Sequence, residues 1–329
     1  MDIVSVLENG LRAAIGPSAA VYALAAIGLN LHYGYTGLRN FGHVGFMLVG
    51  AYGVGITVVT WEWSLWVGIA VSVAASMALA LALGLPTLRL RSDYFAIATI
   101  AAAEILRLVA RSTSATDLTG GPFGLQEVAN DFADLNPIAD GRYGPGQLSF
   151  SAGQLWAMLV TWVLVALATL VVWALMRSPW GRVIKSIRED EDVATSLGKN
   201  VYRFKLQSLA IGGVLGGLAG VMLALGSNTV NANPYAPQVT FFLYAALILG
   251  GPATRIGPII GSVIFWFLLA FGQSFLAEAG SEGLLPGFLG DSTAQGALAY
   301  AMVGVGLMVL MAFRPQGIFG SREEMRLGE

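Results

Sequence analysis

The chain has 329 residues, of which 56% are hydrophobic and 12% are charged, and its formal net charge is −2. Soluble domains carry about 25% charged residues, so this sequence has too few polar side chains to cover one soluble core. The balanced charge, without a long basic tract, excludes a nucleic-acid-binding protein. The sequence holds no cysteine and two histidines, which excludes disulfides, thiol catalysis and a multi-histidine metal centre. These features predict an integral membrane protein surrounded by lipid.

Long, charge-poor stretches follow one another along the chain, and each is a candidate membrane-spanning helix. They occupy residues 14–32, 41–60, 65–85, 94–110, 153–176, 206–226, 238–250, 258–272 and 294–313. A bilayer core about 30 Å thick needs roughly 20 apolar residues per helix. We therefore predict an all-α polytopic membrane protein, one transmembrane domain over residues 1–329 with about nine spans (roughly eight to ten). The first stretch lacks a basic n-region and a cleavage site, so we expect it to be retained.

The basic residues between these stretches indicate how the chain is oriented. If residues 177–205 are cytoplasmic, fourteen of the eighteen Lys and Arg residues lie on that side. Of these fourteen, the ones that lie outside residues 177–205 in the sequence are Arg39, Arg89, Arg91, Arg255, Arg314, Arg322 and Arg326. The positive-inside rule then predicts an extracytoplasmic loop at 111–152, an external N-terminus and a cytoplasmic C-terminus.

Three features lie within the predicted spans. Glu104 and Arg107 are three positions apart, so they share a helix face and can form an ion pair. They fit either a self-neutralised pair near a helix end or a pair that lines a transport pathway. His43 also has two interpretations: it forms a hydrogen bond to another helix, or it contacts the substrate. The spacing of Gly212, Gly216 and Gly220 predicts close helix packing.

Residues 177–205 alternate charged and apolar side chains outside the predicted spans. The apolar positions recur at helical spacing, and residues 189–192 form a run of negative charge. This pattern predicts short amphipathic helices between spans five and six, with Gly198 ending the last one. It indicates a cytoplasmic docking element rather than a loop that only sets topology. The sequence has no Walker A motif, so any ATP must be hydrolysed by another chain.

Several sequence blocks resemble one family of membrane permeases. Residues 192–198 resemble the Glu-Ala-Ala-x-x-x-Gly coupling motif of bacterial ABC importer permeases, matching it at Ala194 and Gly198. Further blocks lie at 34–37 with 42–43, 88–107, 118–122, 181–191, 205–206 and 314–320. Over about residues 28–320 they are similar, in order, to the LivM-type permease of branched-chain amino-acid ABC importers. The sequence departs from that pattern at Leu38, Arg39, Asn40 and Ala253.

The resemblance implies a permease subunit, with no enzymatic activity, in an importer of two permeases and two ATPases. A LivH-type homologue would be the second permease, and an extracytoplasmic binding protein would deliver branched-chain or other hydrophobic amino acids. ATP and Mg would be bound by the ATPases, and this chain would bind no cofactor or metal. The chain would form half of a path that opens by alternating access in the bacterial cytoplasmic membrane. A urea or short-chain amide permease is the alternative within this class; a gradient-driven secondary transporter, or a channel or scaffold, is the alternative outside it.

The resemblance also assigns candidate site residues. For coupling to the ATPases it indicates Arg188, Glu189, Asp190, Glu191, Asp192, Ala194 and Gly198. For the translocation path it indicates Tyr35, Thr36, Gly37, His43, Tyr94, Glu104 and Arg107. For docking of the binding protein it indicates Thr119, Gly120 and Gly121.

Overall fold

A computed structural model of the chain describes residues 3–90, 92–282, 292–314 and 316–320. Helices make up most of these residues, and the strands are pairs of residues within loops. The predicted all-α polytopic membrane class is confirmed. The orientation predictions that use Arg91, Arg322 and Arg326 concern positions outside the described residues.

The helices follow one another in this order: α1 (Ile3–Ile15), α2 (Pro17–Leu29), α3 (His43–Gly55), α4 (Leu65–Thr87), α5 (Ser92–Ala110), α6 (Thr116–Thr119), α7 (Asn130–Asp134), α8 (Ala152–Arg177), α9 (Pro179–Glu189), α10 (Glu191–Ser196), α11 (Val201–Ser227), α12 (Pro237–Gly250), α13 (Gly257–Ser281) and α14 (Ser292–Phe313). π-Helical turns extend α2 at Asn30–Tyr35 and α3 at Ile56–Thr60. Strand β1 (Leu125–Gln126) pairs antiparallel with β4 (Thr229–Val230), and β2 (Arg142–Tyr143) pairs antiparallel with β3 (Phe150–Ser151).

The number of membrane spans differs from the prediction. In the described part of the chain, six helices are long and apolar enough to cross a membrane, or seven if the bent pair of α1 with Pro17–Tyr35 counts as one span. The predicted count of nine is therefore not supported, although a helix lies at each predicted stretch. Helix α5 is not counted as a candidate span because it carries three charged residues, Asp93, Glu104 and Arg107. Helix α12 is apolar but too short to cross a bilayer, because its 14 residues extend only about 21 Å.

Helix α1 was not predicted, because Glu8 and Arg12 interrupt its apolar sequence. It is amphipathic and packs against α13, with Gly10 beside the ring of Phe267. The chain then bends by 42° at the break before Pro17, which opens α2. Proline suits the first turn of a helix because its missing N–H has no partner there.

Helix α11 is the centre of the bundle and packs against α2, α3 and α4. Its glycines allow the backbones to meet: a Cβ at Gly212 would lie 2.6 Å from the carbonyl oxygen of Gly28. A Cβ at Gly216 would lie 2.9 Å from Nε2 of His43, and one at Gly220 would overlap the carbonyl of Met47. The close packing predicted from the glycine spacing is confirmed.

Most cationic side chains gather at one end of the bundle, which we call the basic end. The start of α5 meets the end of the α2 π-turn there, where Arg39 pairs with Asp93 at 2.8 Å. The α4 end meets α11 there too, and the Tyr202 hydroxyl donates to the carbonyl of Leu85 at 3.1 Å. The segment from α8 to α11 adds further cations, which are Arg177, Arg182, Lys185, Arg188, Lys199, Arg203 and Lys205.

The long segment between α5 and α8 lies at the opposite end of the bundle, which we call the loop end. It is tied to the other helices by hydrogen bonds, such as that from the Thr60 hydroxyl to the carbonyl of Leu118 at 3.2 Å. The N–H of Gln147 donates to Glu8 at 2.9 Å. Positive charge thus segregates to one end, as the positive-inside pattern predicts. Which end faces the cytoplasm stays a prediction.

The packing of α11 generates a stability prediction. We expect Gly220→Ala to lower the free energy of unfolding by about 1–3 kcal/mol, because the new methyl group would overlap a backbone carbonyl of α3. Gly226→Ala in the same helix is the matched control, since its Cβ would meet only Ala157, at 3.8 Å. Thermal unfolding of the purified protein in detergent measures both. Equal stability of the two variants would contradict the close contact.

Candidate functional site

The segment between α8 and α11 forms two helices at the basic end. Helix α9 buries Ile184 completely, and α10 buries Ala194. Between them, the Asp190 carboxylate accepts hydrogen bonds from the N–H groups of Asp192 and Val193 at 2.9 and 3.0 Å, which caps α10. The segment thus contains two short helices, and their placement as cytoplasmic coupling helices stays a prediction. Their contact with an ATPase stays a prediction.

Helix α10 has an outer face that no described part of the chain covers. The exposed fraction is 54% for Val193 and 72% for Leu197. On the opposite face, Glu191 forms an ion pair with Lys205 of α11. Gly198 follows with a φ of +76°, which favours glycine, and a Cβ there would meet no described atom within 4 Å. The backbone angle, rather than crowding, accounts for this glycine.

A cavity of about 290 Å³ separates α9 from the end of the α2 π-turn. It brings together residues predicted for two roles, namely Thr36 and Gly37 of the path and Arg188, Glu189, Asp190 and Glu191 of the coupling segment. Gly37 has a φ of +77°, and a Cβ there would lie 3.5 Å from Cγ of Arg188. The first permease block and the coupling segment therefore line the same cavity.

Thr36 and His43 are buried inside the bundle. The Thr36 hydroxyl lies 2.6 Å from the hydroxyl of Ser208 on α11 and donates to the carbonyl of Leu31 at 2.8 Å. Nε2 of His43 lies 3.0 Å from the carbonyl oxygen of Ala25 on α2. Of the two interpretations of His43, this geometry fits the hydrogen bond between helices.

The remaining path candidates are spread along the bundle. Tyr35 is buried near the basic end, whereas Tyr94, at the start of α5, is 63% exposed. Further along α5, Nε and Nη2 of Arg107 donate to the two carboxylate oxygens of Glu104 at 2.8 and 2.6 Å. This bidentate pair neutralises both charges within one helix. The seven path candidates therefore lie in different parts of the bundle.

Thr119, Gly120 and Gly121 form a tight turn against the end of α5. The Thr119 hydroxyl is buried and lies 2.8 Å from the carbonyl oxygen of Ala110. Gly120 and Gly121 have φ angles of +72° and +56°, which favour glycine. The predicted docking residues thus form the frame of the turn. Phe123, which follows in the same turn, is 83% exposed, and sequence reasoning did not single it out.

Polar side chains that sequence reasoning passed over hold the end of α2. Asn30 donates to the carbonyl of Thr254 at 2.9 Å and accepts from the N–H of Ala253 at 2.8 Å. His32 lies 3.2 Å from the side-chain amide of Asn40. These residues could have been identified from the sequence as polar side chains within an apolar stretch. Such groups are buried in a membrane protein only where they have hydrogen-bond partners. The π-turn that carries them is a rare geometry, common at functional sites.

The break between α12 and α13 is closed by residues 316–320. The N–H of Ile318 donates to the carbonyl of Leu249 at 3.0 Å, and the N–H of Phe319 donates to that of Gly250 at 3.1 Å. These bonds satisfy carbonyl groups that the end of a helix leaves without partners. The block at 314–320 therefore packs against the end of α12 and the break that contains Ala253.

Ala253, a departure from the LivM pattern, has a φ of +60° in this break. A side chain in the left-handed region costs about 1–2 kcal/mol, so we expect Ala253→Gly to raise the free energy of unfolding by about 1 kcal/mol. Ala236, with a φ of −67°, is the matched control, and its change to Gly should destabilise the protein. Thermal unfolding compares them. A loss of stability in both variants would show that Ala253 is not strained.

Known proteins resemble this chain along nearly all of its length. The model of the family described as "Branched-chain amino acid transport system / permease component" matches residues 13–312. The high-affinity branched-chain amino acid transport system permease protein LivM of Salmonella typhimurium is 28% identical, covering 95% of this chain and 71% of the relative. The probable LivM of Methanocaldococcus jannaschii is 26% identical, covering 91% and 90%.

A second type of permease and a solved structure are also similar. LivH of Salmonella typhimurium is 26% identical, covering 78% of this chain and 83% of the relative. PsaBC from Streptococcus pneumoniae, solved in complex with Fab, is 18% identical with a TM-score of 0.45, covering 94% of this chain and 92% of that chain. Because the family model matches nearly the whole sequence, and LivM proteins are among the relatives, this chain belongs to the family of branched-chain amino acid transport system permease components.

Proposed function

We propose that this chain is the transmembrane permease subunit of an ATP-binding-cassette importer for branched-chain or other hydrophobic amino acids. Its family membership carries the proposal, since its LivM relatives are permeases of branched-chain amino acid transport. A LivH-type permease would supply the other half of the translocation path, and an extracytoplasmic binding protein would deliver the substrate. The complex would lie in the bacterial cytoplasmic membrane.

Two separate ATPase subunits would hold ATP and Mg and would dock on α10. The exposed Val193 and Leu197 supply an apolar contact, and Asp192 supplies charge beside it. On the inner face, the pair of Glu191 with Lys205 joins α10 to α11. A displacement of α10 by the ATPases would thus reach the central helix directly. ATP would stabilise one of two arrangements of the helices, which is alternating access.

The membrane-embedded part would include all nine predicted stretches, with 177–205 in the cytoplasm and 111–152 outside. The charges of α5 do not prevent this, because Glu104 pairs with Arg107 and Asp93 lies at the basic end against Arg39. Helix α12 is short, but its break is closed by the chain's own backbone. Interrupted helices of this kind are tolerated at membrane depth only where protein or a cavity surrounds them.

One face of α5 is our candidate for the lining of the path, shared with the second permease. Tyr94, Ile97, Ile105 and Leu108 recur at helical spacing and are exposed, and Glu104 lies beside them. The other candidates are inside the chain. We propose that Tyr35, Thr36, Gly37 and His43 act by fixing the α2 π-turn against α11 and α9.

The proposal is tested by purifying the tagged chain from native membranes, identifying the co-purified subunits and measuring uptake of labelled leucine. We expect a homologous permease, two ATPases and ATP-dependent uptake. Leu197→Asp should release the ATPases and lower uptake about tenfold or more, because central apolar contacts contribute about 1–2 kcal/mol each. Phe123→Asp, at the loop end, is the matched control. In this variant the ATPases should remain bound, and delivery by the binding protein should fail.

Two of the rival functions give different results in the same experiment. A chain recovered alone that transports along an ion gradient is a secondary transporter. Inhibition of leucine uptake by urea or a short-chain amide, with weak inhibition by valine, indicates the alternative substrate class. ATPases that stay bound to the Leu197→Asp variant would contradict the role of α10.

Variants of the Glu104–Arg107 ion pair distinguish a structural role of the pair from a role in the translocation path. We expect Glu104→Gln to lower uptake about tenfold, because it leaves a cation unpaired within the membrane, at a cost of about 2–3 kcal/mol. Exchanging both residues, as Glu104→Arg with Arg107→Glu, restores an ion pair at the same spacing. The exchange should restore the amount of protein in the membrane but not uptake. Restored uptake would show that the pair serves packing alone.

A further inference from the structure

A second cavity at the basic end has no role assigned to it in the transport function proposed above, and Tyr35 of the α2 π-turn forms part of its wall. It has a volume of about 360 Å³ and lies between the end of α8, helix α9 and the break between α12 and α13. Arg177, Lys185 and Arg255 line it, one from each of these elements. The described lining contains no carboxylate, and none of the three cations forms an ion pair with a described side chain. Within the described part of the chain, three positive charges thus converge on one space that no carboxylate lines.

Trp173 orients two of these cations. The guanidinium carbon of Arg177 lies 4.1 Å from the ring centroid of Trp173, and that of Arg255 lies 5.5 Å from it. Such cation–π contacts fix the planes of the guanidinium groups without using their N–H donors. The donors remain available for the oxygens of an anion, and phosphate suits them because guanidinium binds it in a bidentate manner.

The position of the cavity indicates what carries the phosphate. Arg177 is the last residue of α8, a helix long enough to cross the membrane, and Arg255 precedes the start of α13 by two residues. With α8 and α13 spanning the bilayer, as proposed above, the cavity would lie at their ends, at the depth of lipid headgroups. A tryptophan one turn inside a helix end is typical of this interface.

The face of α8 that leads to the cavity supplies a surface for acyl chains. Val163, Leu170 and Arg177 are seven residues apart and share one helix face. Val163 and Leu170 are each 58% exposed, so an apolar strip runs along the helix and ends at the cation. Ile256, beside Arg255, is a further exposed apolar side chain, at 49%. A soluble anion would make no use of this apolar surface, whereas a phospholipid would cover it.

We propose that this cavity binds the phosphate headgroup of an anionic membrane phospholipid, held by Arg177, Lys185 and Arg255, with its acyl chains along the exposed face of α8. The inference goes beyond the transport function and depends only on the membrane placement of the chain, not on its substrate or its partners. The bound lipid would connect α9, and with it the segment that precedes α10, to the break between α12 and α13.

The test uses the complex purified from native membranes, stripped of lipid in detergent and titrated with phosphatidylglycerol or phosphatidylcholine, with bound lipid counted by native mass spectrometry. We expect tighter binding of phosphatidylglycerol. Each cation near a membrane surface contributes about a fivefold gain in affinity, so replacing all three with glutamine should weaken binding on the order of a hundredfold. The matched control replaces Arg182, Lys199 and Arg203 with glutamine, which removes the same charge at the same end outside the cavity.

Each alternative outcome overturns the proposal in a recognisable way. Equal loss in the control variant would show a non-specific charge effect, and equal binding of the two lipids would remove the headgroup assignment. Displacement of phosphatidylglycerol by inorganic phosphate at equal concentration would identify a soluble anion instead. Release of partner subunits by the cavity variant, with lipid binding unchanged, would identify a protein contact. The single variant Arg255→Gln changes an exposed loop residue, so its effect does not depend on whether the triple variant folds. It should weaken lipid binding about fivefold.

Discussion

The close approach of α11 to α2 and α3 is the constraint on which the rest of the structure depends. Lipid tails are as apolar as leucine, so helices in a membrane associate through packing rather than the hydrophobic effect. Gly212 and Gly216 provide the contact surface, and the rings of His32 and His43 fill the space beside them in a T-shaped arrangement, with centroids 5.3 Å apart. A side chain at either glycine would displace these rings and the hydrogen bonds that they make.

Buried polar groups connect this centre to the basic end. The π-turn after α2 carries Asn30, which bonds to the break between α12 and α13, and Thr36, which meets Ser208 of α11. The same break receives the backbone of residues 316–320. Unpaired polar groups are costly in a membrane, so these contacts fix one arrangement of the loops. The proposed coupling helix α10 is joined to the same central helix, α11, by the ion pair between Glu191 and Lys205.

The two ends of the bundle differ in chemistry as well as in shape. Cations concentrate at the basic end, where they line open cavities, whereas the loop end is a folded segment tied to α1 and to the turn after α3 by hydrogen bonds. The turn at Thr119 uses two glycines with positive φ to present Phe123 outward. Each end therefore offers a separate surface for a partner, joined by helices whose packing is set at the centre.

The sequence alone determined the membrane class, a helix at each of nine stretches, the amphipathic segment before α11 and the glycine contacts, because hydropathy and periodicity are local properties. It missed α1, whose charges interrupt the apolar pattern. Its count of nine spans is not supported by the length and composition of the described helices, of which six or seven qualify. Only the tertiary structure decided that Thr119 is a buried frame, that Tyr94 faces outward and that Thr36 meets Arg188 across one cavity. These contacts join residues far apart in the chain, and such pairs leave no periodic signal in a single sequence.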